Sequence, residues 1–247
     1  MANLVTKDIT KCFDGKTIIE EINIELNDKE LVSLIGVSGA GKTTLFNTIS
    51  GLISPEQGQV LLDGEDITGK TGKVSYMLQK DLLLPFKTIE DNVALPLVLK
   101  GTKKKQAREM VRPYLREFGL EGTEKKYPAQ LSGGMRQRAA LLRTYLCSSG
   151  VALLDEPFSA LDTITKRSMH KWYLEIMDHI HLSTLFITHD IDEAILLSDR
   201  IYLMTGKPGR ITKEIAIKTP RPRSEEFLLT EEFLAYKREI IEALKLG

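Results

Sequence analysis

The feature that most constrains the fold of this chain is a glycine-rich segment at residues 36–43, Gly-Val-Ser-Gly-Ala-Gly-Lys-Thr. Its spacing fits G-x-x-x-x-G-K-[S/T] in full. An apolar run precedes it and a helical pattern follows, so the chain must pass from a buried strand through a tight turn into a helix. Glycines let the backbone curl until successive N–H groups face one anion, and the helix N-terminus adds its positive dipole end. The segment therefore predicts a phosphate-binding loop rather than a chance glycine-rich turn.

Short apolar runs predict the strands of a largely parallel sheet, because strands covered on both faces are continuously apolar. The runs are residues 31–35, 74–78, 151–154, 184–187 and 201–204. Helical patterns lie between them. In the first of these, Leu45, Ile49 and Leu52 follow one face, and Gly51 is expected to end the helix. The alternation of strands and helices predicts an α/β fold.

Three regions depart from this alternation. The N-terminal stretch and residues 59–65 have the pattern of antiparallel strands, with Asp63-Gly64 as a hairpin turn. Residues from about 86 to 148 contain helical patterns and no convincing strand, so they indicate a helical insertion. A stretch that contains proline follows residue 218 and leads into a further helical pattern. We therefore expect a main domain over residues 1–218 and a C-terminal helical appendage over residues 219–247.

The composition indicates which kinds of partner and which cellular compartment are expected for this protein. Lys+Arg and Asp+Glu both number 34, so the formal net charge is zero and nucleic acid is not an expected partner. The two cysteines, Cys12 and Cys147, are too few for a disulfide framework and are expected to be buried, reduced thiols. No apolar run approaches the roughly 18 residues of a membrane span, and the start lacks the apolar core of a signal peptide. The sequence therefore predicts a cytoplasmic protein that contacts a membrane through a partner.

Two adjacent carboxylates, Asp155 and Glu156, follow the apolar run at residues 151–154. Ligands of open α/β sheets bind at the carboxyl ends of the strands, which is where these acids lie. Asp155 would hold Mg²⁺, and Glu156 would polarise an attacking water as a general base. The alternative is that both acids cap a solvent-exposed loop. The upstream phosphate loop favours the first interpretation, with Lys42 on the β- and γ-phosphates and Thr43 on the metal.

A second anion site is predicted at residues 131–138, Leu-Ser-Gly-Gly-Met-Arg-Gln-Arg. Ser132 is a natural N-cap, and Gly133 and Gly134 leave the N–H groups of the following helix uncovered. The γ-phosphate of one nucleotide does not need two such sites from the same chain. The arrangement makes sense if the second site serves a nucleotide held by another copy of the chain.

With these segments in this order, the chain resembles the nucleotide-binding domains of the ABC family over residues 3–218. Residues 131–134 correspond to the family signature, although Met135 stands where Gln is usual. The resemblance implies an ABC-type P-loop NTPase fold, with a mostly parallel core sheet, an N-terminal antiparallel β subdomain and the helical insertion. It also implies ATP and Mg²⁺ as cofactors, and a homodimer that closes over two ATP molecules.

The resemblance assigns further roles by position. Gln79 corresponds to the glutamine that touches Mg²⁺ and the attacking water, and His189 corresponds to the switch histidine at the γ-phosphate. Phe13 corresponds to the aromatic residue that stacks on adenine, although a lone Phe is more often a core residue. Asp162 lies in the loop, residues 159–162, that communicates across the dimer.

The expected site therefore has a catalytic group, a metal group and a set of nucleotide contacts. The catalytic residues are Gln79, Glu156 and His189, and the metal ligands are Thr43, Gln79 and Asp155. The nucleotide contacts are Phe13, Gly36, Ser38, Gly39, Ala40, Gly41, Lys42, Thr43, Thr44, Ser132, Gly133, Gly134 and Asp162.

The resemblance also implies partners. Because the sequence has no membrane helix, the transmembrane permease subunits are expected to be separate chains, an organisation similar to prokaryotic importers. Residues 79–86 and 205–211 are similar to the importer group for nitrate, sulfonate, taurine, bicarbonate and thiamine-pyrimidine precursors. This group implies a solute-binding protein as an indirect partner and a place on the inner face of the cell membrane. Chromosome-maintenance and tandem translation-associated members fit poorly, whereas the ATPase subunit of a split exporter stays open as an alternative.

Overall fold

The computed structural model describes residues 3–147, 150–159, 161–180 and 182–245. In chain order the strands are β1 (Leu4–Phe13), β2 (Lys16–Leu26), β3 (Leu31–Gly36), β4 (Gln57–Leu62), β5 (Glu65–Asp66), β6 (Ser75–Met77), β7 (Val151–Asp155), β8 (Ser183–Ile187), β9 (Arg200–Thr205) and β10 (Arg210–Ala216). The helices are α1 (Lys42–Ile49), α2 (Ile89–Val93), α3 (Leu95–Leu99), α4 (Lys104–Glu117), α5 (Gly133–Cys147), α6 (Thr163–Ile180), α7 (Ile191–Leu197) and α8 (Glu231–Lys245). Short 3-10 helices span Pro128–Gln130 and Glu225–Leu229.

A six-stranded sheet forms the centre of the molecule, in the order β10-β9-β3-β8-β7-β6. The strands from β9 to β6 pair in parallel, whereas β10 runs antiparallel to β9. The residues of β7 are continuously apolar because both faces of this strand are buried. Ala152 and Leu154 pack into one core with the helical region, while Val151 and Leu153 pack into a second core with the antiparallel strands. The predicted parallel core sheet is therefore confirmed, with both of its faces covered.

The N-terminal strands form a separate antiparallel sheet in the order β2-β1-β4-β5. Asp63 and Gly64 connect β4 to β5 with φ values of 52° and 82°. Two left-handed residues in succession are typical of the tight hairpin turn whose twist matches the flanking strands. The predicted hairpin and the antiparallel subdomain are both confirmed.

The chain between β6 and β7 is helical, and its described residues, 78–147 and 150, contain no strand. In α4, Ala107, Val111 and Leu115 recur every fourth residue and are buried against the core beneath them. The predicted helical insertion is therefore present, although its expected last residue, Ser148, lies outside the described residues. Neither these helices nor any other in the described ranges is long and apolar enough to cross a membrane.

The C-terminal segment packs onto the sheet through α8. Phe233 and Ile240 are buried in one cluster with residues of α7 and β9. Upstream, Arg221 donates to both carboxylate oxygens of Asp199, at 2.8 and 2.9 Å. The segment thus shares a core with the sheet, and the expected domain boundary at residue 218 stays a prediction.

Two expectations are wrong, one about the residues that share a face of the first helix and one about the burial of the cysteines. Leu45 and Ile49 are buried, but α1 ends at Ile49, Gly51 turns the chain with a φ of 75°, and Leu52 is 58% exposed. The helical period does not extend past the end of the helix, so Leu52 leaves the core face. The cysteines are free thiols as expected, but Cys12 is half-buried and Cys147, at the end of α5, is exposed.

Candidate active site

The candidate site lies at the carboxyl edge of the parallel sheet. β3 pairs with β8, β8 with β7, and β7 with β6, so the segments that follow these strands emerge side by side. They carry the phosphate loop at residues 36–43, the acid pair, His189 and Gln79. Residues far apart in sequence therefore meet at the edge where ligands of open α/β sheets bind.

The phosphate loop is a tight turn that ends in α1. Gly39 and Gly41 have left-handed φ values of 81° and 95°, and a Cβ on Gly41 would lie 2.4 Å from Ile19. A side chain at position 41 would therefore clash with β2. The N–H of Ala40 donates to the carbonyl of Val37 at 3.2 Å and closes the turn.

Lys42 is the first residue of α1 and holds its ammonium over the loop. Its Nζ donates to the carbonyl oxygens of Gly36 at 2.7 Å and Val37 at 3.2 Å. Burial lowers the pKa of Lys42, while the nearby carboxylates of Glu156 and Asp155 oppose that shift. The result is one cation at the start of a helix, in the position that a phosphate group requires.

The other expected contacts in this segment differ in exposure. Ser38 is exposed at the tip of the loop, whereas Ala40 is buried beneath it. Thr44 is half-buried in the first turn of α1, where its carbonyl accepts from the hydroxyl of Thr48 at 2.9 Å. Their contacts with a nucleotide stay predictions.

Asp155 is buried at the end of β7 and meets two hydroxyl groups. Its Oδ2 accepts from Thr43 Oγ1 at 3.3 Å and from the Tyr76 hydroxyl at 3.5 Å. Burial raises the pKa of Asp155, and the charge of Glu156 adds to the shift. Tyr76 was not among the expected site residues, because within an apolar strand it has the pattern of a core aromatic.

Glu156 is held between two of the other expected catalytic residues. Gln79 Nε2 donates to Glu156 Oε2 at 2.8 Å, and His189 Nδ1 lies 3.4 Å from Glu156 Oε1. The backbone of Glu156 has a left-handed φ of 48°, while its N–H donates to the carbonyl of Ile187 at 3.0 Å. A residue without glycine's freedom in this region costs about 1–3 kcal/mol, and such residues cluster at functional sites.

The predicted second anion site is at the start of α5. The N–H of Met135 donates to Ser132 Oγ at 3.3 Å, so Ser132 caps the helix as expected. A Cβ on Gly134 would lie 3.2 Å from Thr165, and a Cβ on Gly133 would meet Leu161, so the helix start packs closely against the start of α6. Among the described residues, no hydrogen bond or ion pair joins residues 131–138 to the phosphate loop.

Phe13 lies at the end of β1 and is 46% exposed. The core interpretation of this residue is therefore wrong. Lys11 Nζ lies 5.2 Å from the ring centroid and also pairs with Glu56 at 2.7 Å. The ring is available for stacking, and its contact with adenine stays a prediction.

Asp162 serves its own chain as a helix cap. Its Oδ1 accepts from the N–H groups of Ile164 at 3.2 Å and Thr165 at 3.1 Å, at the beginning of α6. Residue 160 of the same loop lies outside the described residues. The role of Asp162 at a nucleotide of a second copy stays a prediction.

Comparisons with known proteins agree with this geometry. A family model described as ABC transporter matches residues 19–159. The chain is similar to the formylaminopyrimidine import ATP-binding protein of Halalkalibacterium halodurans, with 46% identity over 85% of this chain and 82% of that protein. It is also similar to an aliphatic sulfonates import ATP-binding protein of Bacillus cereus, with 39% identity over 99% of this chain and 95% of that protein.

A solved structure shares the fold. It is a dimeric ATP-binding cassette in a post-hydrolysis state, bound to ADP and Pi. It matches this chain with a TM-score of 0.74 and 27% identity, over 88% of this chain and 100% of its own. Together with the family model and the two relatives, this match shows that the chain belongs to the ABC transporter family, as an ATP-binding subunit.

Proposed function

We propose that the chain binds and hydrolyses ATP, as one of two identical subunits that energise an importer for a small solute. The observation that carries the proposal is the convergence of Lys42, Thr43, Asp155 and Glu156 at one edge of the sheet. Catalysis of phosphoryl transfer depends on positioning and on stabilising charge, and these residues supply a cation, oxygen ligands and a base.

The residues present fit a magnesium ion. The Thr43 hydroxyl and the Asp155 carboxylate already lie within 3.3 Å of each other, and both are oxygen donors of the kind that Mg²⁺ prefers. No group of three or more His, Cys, Asp or Glu side chains in the described ranges could hold a metal on its own. That agrees with an ion bound by few protein ligands and completed by nucleotide phosphates and water. When bound, Mg²⁺ neutralises charge on the β- and γ-phosphates.

Glu156 acts on the water. Its carboxylate accepts a proton of the water as the water oxygen bonds to the γ-phosphorus. The bond from that phosphorus to the oxygen bridging the β- and γ-phosphates breaks, so ADP leaves with that oxygen and inorganic phosphate is formed. The Gln79 amide, already bonded to Glu156, orients the same water. His189 lies 3.4 Å from the other oxygen of the same carboxylate, and in this proposal it contacts the γ-phosphate. Lys42 holds the β- and γ-phosphates in line with the attack.

The second anion site implies two copies. In the part of the chain that the structure describes, no hydrogen bond joins Ser132, Gly133 or Gly134 to the phosphate loop of the same chain. In a head-to-tail dimer, this segment of one copy covers the γ-phosphate held by the phosphate loop of the other. The dimeric cassette with a similar fold supports this arrangement.

The loop after Gln79 is suited to contact a permease. Phe86 is 72% exposed and Leu82 is also exposed, although both are large and apolar. The same loop is bonded to α5, since Arg136 Nε lies 3.3 Å from Asp81 Oδ2 and Arg143 donates to the Leu82 carbonyl at 2.8 Å. A movement of the helical region on closure would therefore reach the exposed residues directly.

The two relatives are named for formylaminopyrimidine import and for aliphatic sulfonate import, which supports a small solute as cargo. In this proposal the chain lies on the inner face of the cell membrane, attached through two permease subunits, and a solute-binding protein delivers the cargo. The nitrate, sulfonate and taurine group is the class of importer that we favour. The alternative is the ATPase subunit of a split exporter.

Co-purification tests the proposal. The tagged chain, expressed with the permease and solute-binding protein genes of its own organism, is expected to bring down two permease chains. Its ATP hydrolysis in that complex should rise when the loaded binding protein is added. An exporter subunit would bring down its permeases and show no response to any binding protein, and a chain that hydrolyses no ATP would contradict the proposal.

A further inference from the structure

The turn between β9 and β10, residues 206–209, plays no part in the site described above. It belongs to one of the two stretches that resemble the importer group. β9 pairs in parallel with β3, on the side of β3 opposite to β8. The carboxyl end of β9 therefore reaches the same edge of the sheet as the phosphate loop, and the turn follows directly from it.

Gly209 anchors this turn to two elements at once. Its N–H donates to the carbonyl of Ile18 at 2.8 Å, and its carbonyl accepts from the N–H of Glu20 at 3.0 Å, so it is bonded to β2. A Cβ on Gly209 would lie 1.9 Å from the carbonyl oxygen of Ala40, so no larger residue fits against the phosphate loop. Arg210 adds an ion pair with Glu20 at 2.7 Å. The position of the turn relative to the loop is therefore fixed.

Lys207 stands at the tip of the anchored turn. Its Cε and Nζ lie 3.8 and 3.9 Å from the position that a Cβ on Gly39 would occupy. The side chain is exposed, and it makes no hydrogen bond or ion pair with any residue that the structure describes. Lys42, by contrast, is bonded to two carbonyl groups of the loop. An unpaired ammonium group thus lies beside the tip of the phosphate loop.

We propose that Lys207 contacts the α- and β-phosphates of the bound nucleotide, as a second cation beside Lys42. The inference rests on the proposed function, since it concerns the same nucleotide site. We assign the α- and β-phosphates from the side on which the turn at residues 206–209 meets the phosphate loop. The turn reaches the loop from β2, the strand next to Phe13, whereas Glu156 and the other groups that act on the γ-phosphate lie on the β8 side. The phosphates nearest the adenosine are the α- and β-phosphates.

Calorimetric titration with ADP tests the proposal, because ADP carries these two phosphates and lacks the third. Lys207→Ala is expected to weaken ADP binding by about 10- to 150-fold, which corresponds to one hydrogen bond to a charged group. Lys207→Arg should keep most of the affinity. The difference between Lys207→Ala and the unmutated protein should shrink as salt is raised, because the contact is an exposed ion pair.

A matched control removes the same charge from the same region. Lys213 lies on β10, and its ammonium pairs with Glu239 of α8 at 2.8 Å, so Lys213→Ala should leave ADP binding unchanged. Lys42→Ala serves as the reference for a lost phosphate contact. Unchanged ADP affinity in Lys207→Ala, with a clear loss in Lys42→Ala, would overturn the inference and leave the proposed function intact.

Adenosine binding by Lys207→Ala and ADP binding by the unmutated protein provide two further tests. An equal loss of affinity for adenosine and for ADP in Lys207→Ala would also overturn the inference, since the turn would then act on the adenine side alone. If the unmutated protein bound no ADP, the proposed function and the inference would fall together.

Discussion

The carboxyl edge of the parallel sheet and the start of α5 are the two predicted anion sites of this chain, and their residues differ in chemistry. At the sheet edge, Lys42, Asp155 and Glu156 place charges of both signs close together, with burial shifting two of their pKa values. At the start of α5, Ser132, Gly133 and Gly134 offer a hydroxyl group and backbone N–H groups, while Arg136 of the same segment is paired with Asp81 at 3.3 Å.

The two regions therefore differ in the part that each can take in the reaction. A base, an ammonium group and metal ligands can move a proton and stabilise a phosphoryl group, so the sheet edge is equipped for chemistry. Uncharged N–H donors can hold an anion but cannot accept a proton, so the start of α5 can bind and position. The two regions also touch indirectly, because Gln137 of α5 donates to the carbonyl of Pro157, the residue after the acid pair. If a second copy closes over a nucleotide at the start of α5, the resulting movement of α5 would shift the residues next to the acid pair.

The largest effect is expected at the base. Glu156→Gln should keep ATP binding and lower hydrolysis by about 10²–10⁴-fold, the usual contribution of a positioned general base. The variant should also accumulate as a closed dimer with ATP, because the bound nucleotide is no longer cleaved. Phosphate release and gel filtration with ATP measure both effects.

Glu65→Gln is the matched control for this change, since Glu65 lies on β5 in the antiparallel sheet and is exposed. It should hydrolyse ATP at the rate of the unmutated protein. Turnover in Glu156→Gln close to that of the control would remove Glu156 from the chemistry and break the contrast between the two regions.

A smaller effect is expected at Phe13. If its exposed ring stacks on adenine, Phe13→Ala should weaken ATP binding by about 1–3 kcal/mol, the range for stacking of a base on an aromatic side chain. Phe13→Tyr should be nearly neutral, and the melting temperature should hold because the ring is not part of the core. A lower melting temperature with unchanged ATP affinity would instead assign Phe13 to stability.

The smallest effect is expected in the helical region, where charges serve stability. Arg108 donates to both oxygens of Asp91, at 2.8 and 2.9 Å, and this lowers the pKa of Asp91 to about 2, with Lys104 adding to the shift. Because Arg108 and Lys104 are partly exposed, we expect Asp91→Asn to lower the free energy of unfolding by about 1 kcal/mol at neutral pH.

The pH dependence of this effect has a definite sign. A carboxyl group whose pKa is lower in the folded state stabilises the fold above its unfolded pKa, so the contribution is present above about pH 4 and is lost as the pH falls towards 2. Denaturant unfolding of Asp91→Asn and the unmutated protein should therefore converge in that range. Glu109→Gln, which removes a charge from the exposed side of α4, is the control. If Asp91→Asn lowered the rate of ATP hydrolysis by more than tenfold, the Arg108–Asp91 ion pair would contribute to the active site and not only to stability.

The site at the carboxyl edge of the sheet is well predicted from the sequence, because its functional residues lie in short continuous segments. The phosphate loop and the acid pair each need a fixed order of neighbouring residues, and a strand and a helix must flank them. Contacts between residues that are far apart in the chain produce no recognisable pattern in the amino-acid sequence. The hydroxyl of Tyr76 on Asp155 and the bond from Gln137 to Pro157 depend on how strands and helices pack, and neither could be predicted. Leu52 fails for a related reason, because a helical period does not show where the helix ends.

We infer that the two predicted anion sites of one chain serve different ATP molecules. Lys42→Ala disables the phosphate loop, and Ser132→Arg blocks the start of α5, so each variant alone should form no intact site. In a mixed dimer the two lesions fall unevenly. One nucleotide site receives the damaged loop together with the damaged Ser132 segment, and the other receives an intact copy of both.

The measurement is ATP-dependent dimerisation and nucleotide content of the mixed variants, purified through two different tags. We expect a stable mixed dimer that retains one tightly bound ATP and recovers measurable hydrolysis, while either variant alone recovers neither. If each chain instead built its whole site by itself, no mixture would contain an intact site. The absence of both trapped nucleotide and hydrolysis at every mixing ratio would show that the two anion sites do not serve different ATP molecules.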